Sequence, residues 1–189
     1  MPESVWKSTL EDFRDRLAGR ESVPAGVSVA AVSASLGLSL LIKVVEIVRE
    51  RKDFAGDPAK IEALLAQARA ESAKLDRAAD EDIVAFAEYM ASRGTPGETV
   101  ALHRAIQTPL RAARAAAAGL QLCSEAVAVT PPSIAPDLGT AALILAGSVR
   151  SMLLSVEANS LRLTDRESRA EIAREVEELK QLAKNHQQW

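Results

Sequence analysis

Asp82 is the residue whose type and position are best suited to chemistry, within the stretch DRAADEDIVAFAEYM. The apolar positions that share one face of the predicted helix around it are Leu75, Ala79, Phe86 and Met90. Position 82 completes that face, and a carboxylate buried there without a partner is unfavourable. Two explanations stay open. Either Asp82 is a general acid or base with a raised pKa, or Ile83 carries the apolar face and Asp82 lies at its edge.

Asn159 occupies a core-type position on another predicted helix. The apolar residues that precede it at helical spacing are Leu138, Ala141, Ala142, Leu145, Val149, Met152 and Val156. An amide both donates and accepts, so a buried Asn belongs to a structural network or orients a ligand. Asp137 opens the same helix just after Pro136, where an acidic side chain acts as an N-cap and suits the helix dipole.

Two further segments carry weaker signals. Pro109 stands inside a helical pattern, which predicts a kink or break near Thr108. The segment RERKDF (49–54) concentrates positive charge at the end of a predicted helix. That charge suits the helix dipole, and it is also suited to an anionic ligand tail.

Composition excludes several classes of function. The chain has 189 residues, a net charge of −3 and 3% aromatic residues, so it carries neither the charge nor the stacking surfaces of a nucleic-acid-binding protein. His103 and His186 lack acidic or cysteine neighbours at ligand spacing, so no metal site is expected. The pattern of a phosphate-binding loop and that of a nucleophile elbow do not occur in the sequence.

The chain is expected to be cytoplasmic. Its N-terminal sequence does not resemble a signal peptide, and the lone Cys123 points to a reducing compartment. The uncharged run from Ser22 to Ile42 raises the question of a membrane span. Pro24 and Gly26 limit its helical part, which also holds four serines, so a buried helix is expected and no membrane contact.

The repeat of apolar residues is helical nearly throughout, and Gly and Pro mark the boundaries. It predicts about six helices, near 3–18, 27–53, 57–93, 97–129, 137–163 and 166–186. Short connections predict that neighbouring helices are antiparallel. The expected fold is therefore an all-α antiparallel bundle that forms a single domain over residues 1–189.

Six short segments together resemble a known family. They are PAGVSVAA (24–31), RKDF (51–54), DEDIVAF (80–86), Pro109–Leu110, SIAPDLGTAA (133–142) and LLSVEAN (153–159). In order and spacing they are similar to the motifs of the cyclodeaminase/cyclohydrolase family. That family comprises the deaminase half of formiminotransferase-cyclodeaminase and stand-alone methenyltetrahydrofolate cyclohydrolases. The resemblance covers essentially the whole chain.

The resemblance implies a homodimer with a folate-binding cleft, in which Asp82 is the catalytic acid and base and no metal is required. The substrate-binding residues that it implies are Pro24, Ala25, Gly26, Val27, Ser28, Lys52, Phe86, Ser133, Asp137 and Asn159. Within this set, Gly26 and Ser28 are expected to form the cleft wall and Lys52 to attract an anionic tail. Asp137 and Asn159 are expected to orient the substrate, a tetrahydrofolate derivative.

The implied reaction is hydrolysis of methenyltetrahydrofolate to 10-formyltetrahydrofolate, or closure of formiminotetrahydrofolate with release of ammonia. Hydrolysis is preferred because the sequence carries no formiminotransferase segment. Several positions depart from the family pattern: Ala25 and Val27 replace glycines of PGGGS, and Ser133, Pro136 and Ser155 replace polar residues. These changes leave open a different cyclic imine or amidine substrate, a non-catalytic ligand- or protein-binding module, or a plain structural bundle.

Overall fold

The computed structural model describes residues 4–52, 54 and 56–186. A short 3₁₀ helix at Val5–Lys7 precedes six α-helices. These are α1 (Leu10–Ala18), α2 (Gly26–Arg49), α3 (Pro58–Ser92), α4 (Glu98–Val127), α5 (Ala135–Ser160) and α6 (Arg166–Asn185). The described residues contain no strand, so the predicted all-α class is confirmed.

Helices α2 to α5 form an antiparallel four-helix bundle in which each helix packs on the next and α5 closes back onto α2. The 3₁₀ helix packs on α3, and α6 packs on α5 and α4. Two glycines lie where helices approach most closely. A Cβ on Gly37 would lie 3.2 Å from Ile144 and Leu145 side-chain atoms, and one on Gly119 would lie 2.9 Å from Leu38.

Local sequence sets several helix ends. Thr9 caps α1 by accepting a hydrogen bond from the Asp12 backbone N–H, so this helix begins at residue 10 and not at the predicted residue 3, which lies outside the described residues. Asp57 and Asp165 cap α3 and α6 in the same way. Helix α2 ends at Arg49, before the predicted end at residue 53, a position that is also outside the described residues.

The predicted core positions of α5 are confirmed, since every residue from Leu138 to Val156 that was assigned to its apolar face is buried. One other prediction, about α3, is wrong, and one about α4 is wrong in part. Met90 is 45% exposed, and Tyr89 takes the inward position on α3 instead. Helix α4 continues through Pro109, so the break expected near Thr108 does not occur.

Helices α2 and α5 are each long and apolar enough to span a membrane, but 61% and 50% of their apolar windows are buried inside the bundle. Core helices of globular proteins pass the same test, so this is weak evidence for a span. Part of the outer surface of both helices is apolar as well. Leu36 on α2 and Leu143 and Leu154 on α5 are each more than half exposed.

Candidate active site

The three consecutive acidic residues of α3 have three different surroundings. Asp80 accepts a hydrogen bond of 2.6 Å from the Ser4 hydroxyl and so holds the N-terminal segment against the helix. Glu81 forms an ion pair of 3.1 Å with Arg111 on α4. Asp82 points inward and is 9% exposed. The explanation in which Asp82 lies at the edge of the apolar face is therefore wrong, although Ile83 is buried too.

Asp82 faces a small cavity of about 170 Å³ near the start of α2. The cavity is formed by the turn into α2, the last third of α3, the first third of α4 and the end of α5. Its lining residues are Val23, Ala25, Gly26, Val27, Asp82, Phe86, Ala105, Ser155, Ala158 and Asn159. Six residues predicted for the site thus meet in one place: Ala25, Gly26, Val27, Asp82, Phe86 and Asn159.

Burial raises the pKa of the Asp82 carboxyl from its ordinary value of 3.8 to about 6. No group among the described residues donates a hydrogen bond to this carboxylate or forms an ion pair with it. Its charge is therefore uncompensated, and both protonation states are accessible near neutral pH. A carboxyl group with these properties can accept and return a proton within one reaction.

Asn159 is anchored across the cavity by the backbone of α4. Its Nδ2 donates a hydrogen bond of 3.4 Å to the carbonyl oxygen of Ala105. The Asn159 side chain therefore makes a structural contact with α4 and also lines the cavity.

The turn into α2 presents backbone to the cavity. Ala25 is extended, with φ −137° and ψ −159°, a conformation open to any residue. A Cβ on Gly26 would meet no atom within 4 Å, so the space beside this backbone is empty. Val27 is buried and its side chain narrows the cavity. Pro24 is buried behind this turn, where the Val23–Pro24 peptide bond is cis.

Ser28 does not lie on the cavity wall. Its side chain is fully buried, and the hydroxyl donates a hydrogen bond of 3.2 Å to the carbonyl oxygen of Ala79 on α3. This contact ties the start of α2 to the turn of α3 that precedes Asp82.

Three predicted residues lie at the opposite end of the bundle. Lys52 follows the end of α2, Ser133 precedes α5, and Asp137 lies in the first turn of α5. Helix α2 has 24 residues, which at the usual rise separates its ends by about 36 Å. Within one chain, these residues therefore cannot contact a small molecule bound at Asp82.

Asp137 is not the N-cap of α5, because the helix already begins at Ala135 with Ile134 at the cap position. Its carboxylate instead forms an ion pair of 3.2 Å with Lys43 on α2. The segments beside Lys52 and Ser133 share an open depression of about 480 Å³, lined by residues of 48–56 and 128–131.

A shallow groove of about 620 Å³ runs along the outer surface between α2 and α5. It shares the lining residues Gly26 and Ser155 with the Asp82 cavity, so the two adjoin there. Its other lining residues are Val29, Ala30, Ser33, Leu143, Ile144, Gly147, Ser148, Ser151 and Leu154. The groove is therefore an apolar and small-residue surface that leads to the carboxyl group.

A depression of about 650 Å³ beside α1 is formed mostly by exposed charged side chains and holds none of the residues predicted for the site. Among the described residues, no group of three or more His, Cys, Asp or Glu side chains is arranged to hold a metal ion. The Asp82 cavity and the adjoining groove remain the candidate site.

The chain is similar to proteins of a known family. A profile of the family described as formiminotransferase-cyclodeaminase matches residues 9–178, most of the chain. The chain belongs to the formiminotransferase-cyclodeaminase family. The expectation drawn from the six sequence motifs is thereby confirmed.

Two relatives within this family are informative. The methenyltetrahydrofolate cyclohydrolase of Methylorubrum extorquens is 26% identical over 183 residues, which cover 90% of this chain and 88% of that protein. The crystal structure of formiminotetrahydrofolate cyclodeaminase from Thermotoga maritima superposes with a TM-score of 0.91 at 22% identity. The match covers 97% of this chain and 94% of that one, and it shows a shared fold.

Three lining residues of the cavity were not singled out in the sequence: Val23, Ala105 and Ala158. Ser155 was noted only as a departure from the family pattern. Val23 and Ala158 are apolar and carry no chemical signal. Ala105 contributes through its backbone carbonyl, and for this residue a signal existed, because Pro109 stands four residues later in the same helix.

Proposed function

We propose that this chain is a methenyltetrahydrofolate cyclohydrolase in which Asp82 transfers the protons. The observation that carries the proposal is the Asp82 carboxyl group itself, which is buried in a small cavity without a partner among the described residues and has a pKa of about 6. The name of the Methylorubrum relative supports the choice of substrate. The proposal assigns no role to a metal ion, because Asp82 supplies the proton transfers and the methenyl carbon is already electrophilic.

In the proposed reaction, water adds to the methenyl carbon that bridges two nitrogens of the substrate. The ionised Asp82 accepts a proton from this water as the C–O bond forms, which gives a tetrahedral carbon. The carboxylic acid then donates its proton to the ring nitrogen as the C–N bond breaks. The products are 10-formyltetrahydrofolate and, because the substrate is a cation, one released proton.

The dimensions of the site suggest how a folate would bind. The cavity of about 170 Å³ is below the usual size of a pocket for a ligand of this kind. We therefore place the reacting carbon at Asp82 and the adjoining part of the molecule at the Gly26 end of the groove between α2 and α5, where a second copy of the chain would enclose it. Gly26 is the junction, where the absent side chain leaves room beside the backbone.

We also propose that the outer face of α2 and α5 is covered by a second copy of the chain. Exposed or half-buried residues recur at alternating spacings of three and four along α2, at Val29, Ser33, Leu36, Leu40, Lys43 and Ile47. A matching series on α5 includes Thr140, Leu143, Gly147, Leu154 and Ala158. This spacing is typical of helices that pack against partner helices, and it accounts for the apolar outer surface of both.

A two-fold axis perpendicular to α2 would bring opposite ends of the two copies together. It would place the partner's Lys52 and the partner's Asp137 near the Asp82 cavity. Residues that were predicted for one site, and that lie at opposite ends of a single chain, would then lie close together. A parallel arrangement would instead oppose Lys43 to its own copy, which is unfavourable. Lys52 is exposed and its charge is suited to the anionic glutamate end of a folate.

Closure of formiminotetrahydrofolate, the activity named for the Thermotoga structure, would use the same carboxyl group on a similar tetrahedral carbon. A non-folate cyclic imine or amidine is the other candidate, and Val27 favours it because this side chain narrows the cavity. The proposal further includes one domain over residues 1–189 and a cytoplasmic location.

The experiment that tests the function follows the absorbance of methenyltetrahydrofolate with the wild-type protein. A rate that exceeds spontaneous hydrolysis and rises in proportion to protein concentration is expected. If the rate stays at the spontaneous value, the cyclohydrolase proposal is wrong. Parallel assays with formiminotetrahydrofolate and with simple cyclic amidines then distinguish the alternatives.

A further inference from the structure

Asn159 and Pro109 are connected through a single backbone carbonyl group, that of Ala105. In a regular helix, this carbonyl would accept a hydrogen bond from the backbone nitrogen of residue 109. Proline has no N–H, and its ring also pushes against the carbonyl four residues before it. Helix α4 continues through Pro109, so the Ala105 carbonyl remains in the helix without this bond.

The Asn159 side chain supplies the missing donor. Its Nδ2 lies 3.4 Å from the Ala105 oxygen, and both residues line the cavity that contains Asp82. A carbonyl oxygen only accepts hydrogen bonds, so the amide must turn its nitrogen toward Ala105 and its Oδ1 away from it. The described residues offer no other partner to this amide. One N–H and the Oδ1 atom are therefore left for a ligand.

We propose that Pro109 is a positioning residue, which fixes the orientation of Asn159 beside Asp82 by leaving the Ala105 carbonyl free to accept from it. The catalytic consequence of this inference rests on the proposed function, in which Asn159 presents a donor and an acceptor to the substrate. Pro109 is buried in the core, and its own side chain touches no ligand. It acts on the site through the Ala105 carbonyl group and then through the Asn159 amide.

The test is the variant Pro109→Ala, which restores a backbone N–H opposite the Ala105 carbonyl. Helix α4 becomes more regular, so the melting temperature is expected to rise. Because the restored N–H competes with Asn159 for the Ala105 carbonyl, kcat/KM for methenyltetrahydrofolate is expected to fall about tenfold, chiefly through kcat. Gln121→Ala is the control, since it also favours the helix from an exposed position of α4.

A double-mutant cycle separates this role from a purely structural one. In an Asn159→Ala background, Pro109→Ala should cause no further loss of kcat. Additive losses in the double variant would overturn the proposal. So would a Pro109→Ala variant that is more stable and keeps full activity.

One readout does not depend on turnover. The side-chain amide resonances of Asn159, assigned by their absence in Asn159→Ala, should shift toward those of a free amide in Pro109→Ala and remain unchanged in Gln121→Ala. Unchanged Asn159 resonances in Pro109→Ala would overturn the positioning role. A protein that shows the shift but no folate turnover would retain this role while disproving the proposed function.

Discussion

The Ser28 hydroxyl donates a hydrogen bond of 3.2 Å to the Ala79 carbonyl oxygen in a fully buried contact between α2 and α3. Ala79 precedes Asp82 by less than one turn of α3. The contact therefore holds the backbone around Gly26 at a fixed distance from the carboxyl group. Ser28 acts behind the cavity wall, whereas the sequence predicted that it would be part of that wall.

Removal of this contact should affect both stability and catalysis. We expect Ser28→Ala to lower the free energy of unfolding by about 1 kcal/mol, the usual loss for one buried hydrogen bond. Turnover should fall by a few-fold, because the turn at Gly26 is no longer fixed against α3. Urea unfolding and steady-state kinetics measure the two effects. Ser39→Ala is the control, since its hydroxyl bonds within α2 and is largely exposed.

The Asp82 carboxyl should lower stability at neutral pH. Its pKa in the folded chain is raised from 3.8 to about 6, so the folded state binds the proton more tightly than the unfolded chain does. The stability gained from this tighter proton binding is fully present below pH 3.8 and is lost as the pH rises through 6. Above that range the free energy of unfolding is therefore lower by about 3 kcal/mol.

Asp82→Asn removes this penalty and so should be more stable than wild type at pH 8, by about 1–3 kcal/mol. At pH 4 the two proteins should unfold at nearly the same urea concentration. Equal stability at pH 8 would mean that the carboxylate is solvated or paired in solution. Glu81→Gln, which changes a neighbouring half-exposed carboxylate, provides the matched comparison.

The association of two copies through α2 and α5 can be measured by sedimentation. The wild-type protein should have twice the chain mass of 20.2 kDa. Leu154→Glu places a charge on a side chain that is 66% exposed in the single chain, and it should yield monomers. Val100→Glu on α4, at a residue that is 76% exposed, should remain dimeric. A monomeric wild-type protein with full activity would contradict the proposed interface.

Complementation tests whether the site contains residues of both copies. Asp82→Asn and Lys52→Glu should each have little activity alone. In a mixed dimer, one of the two sites combines an intact Asp82 with the partner's intact Lys52. After mixing and exchange, about a quarter of wild-type activity should return. If each variant is inactive and the mixture stays inactive despite confirmed exchange, the shared site is disproved.

The sequence predicted the features that depend on the helical repeat. The buried face of α5 follows from spacing alone, and Asp82 was located by its place in the apolar face of α3. Spacing could not decide whether Asp82 or Ile83 points inward, because adjacent helical positions differ by only 100°. The structure buries both.

The sequence did not predict that the residues assigned to the site lie at two ends of the bundle. From the sequence, Gly26, Lys52 and Asp137 were placed in one site, but a helix of 24 residues lies between Gly26 and Lys52. The helical rise alone would have separated them. The inward contact of Ser28 could not be foreseen, since a small hydroxyl side chain suits a cavity wall and a helix contact equally well.

The most direct test of the account compares Asp82→Asn with Glu81→Gln in the hydrolysis of methenyltetrahydrofolate, after correction for the spontaneous rate. Asp82→Asn is expected to lower kcat by about a hundredfold or more, while the folded state and substrate binding persist. Glu81→Gln should retain nearly full activity. The wild-type kcat/KM should rise with increasing pH, with an apparent pKa of about 6. A folded Asp82→Asn variant with wild-type turnover would contradict the assignment of Asp82 as the proton-transferring residue.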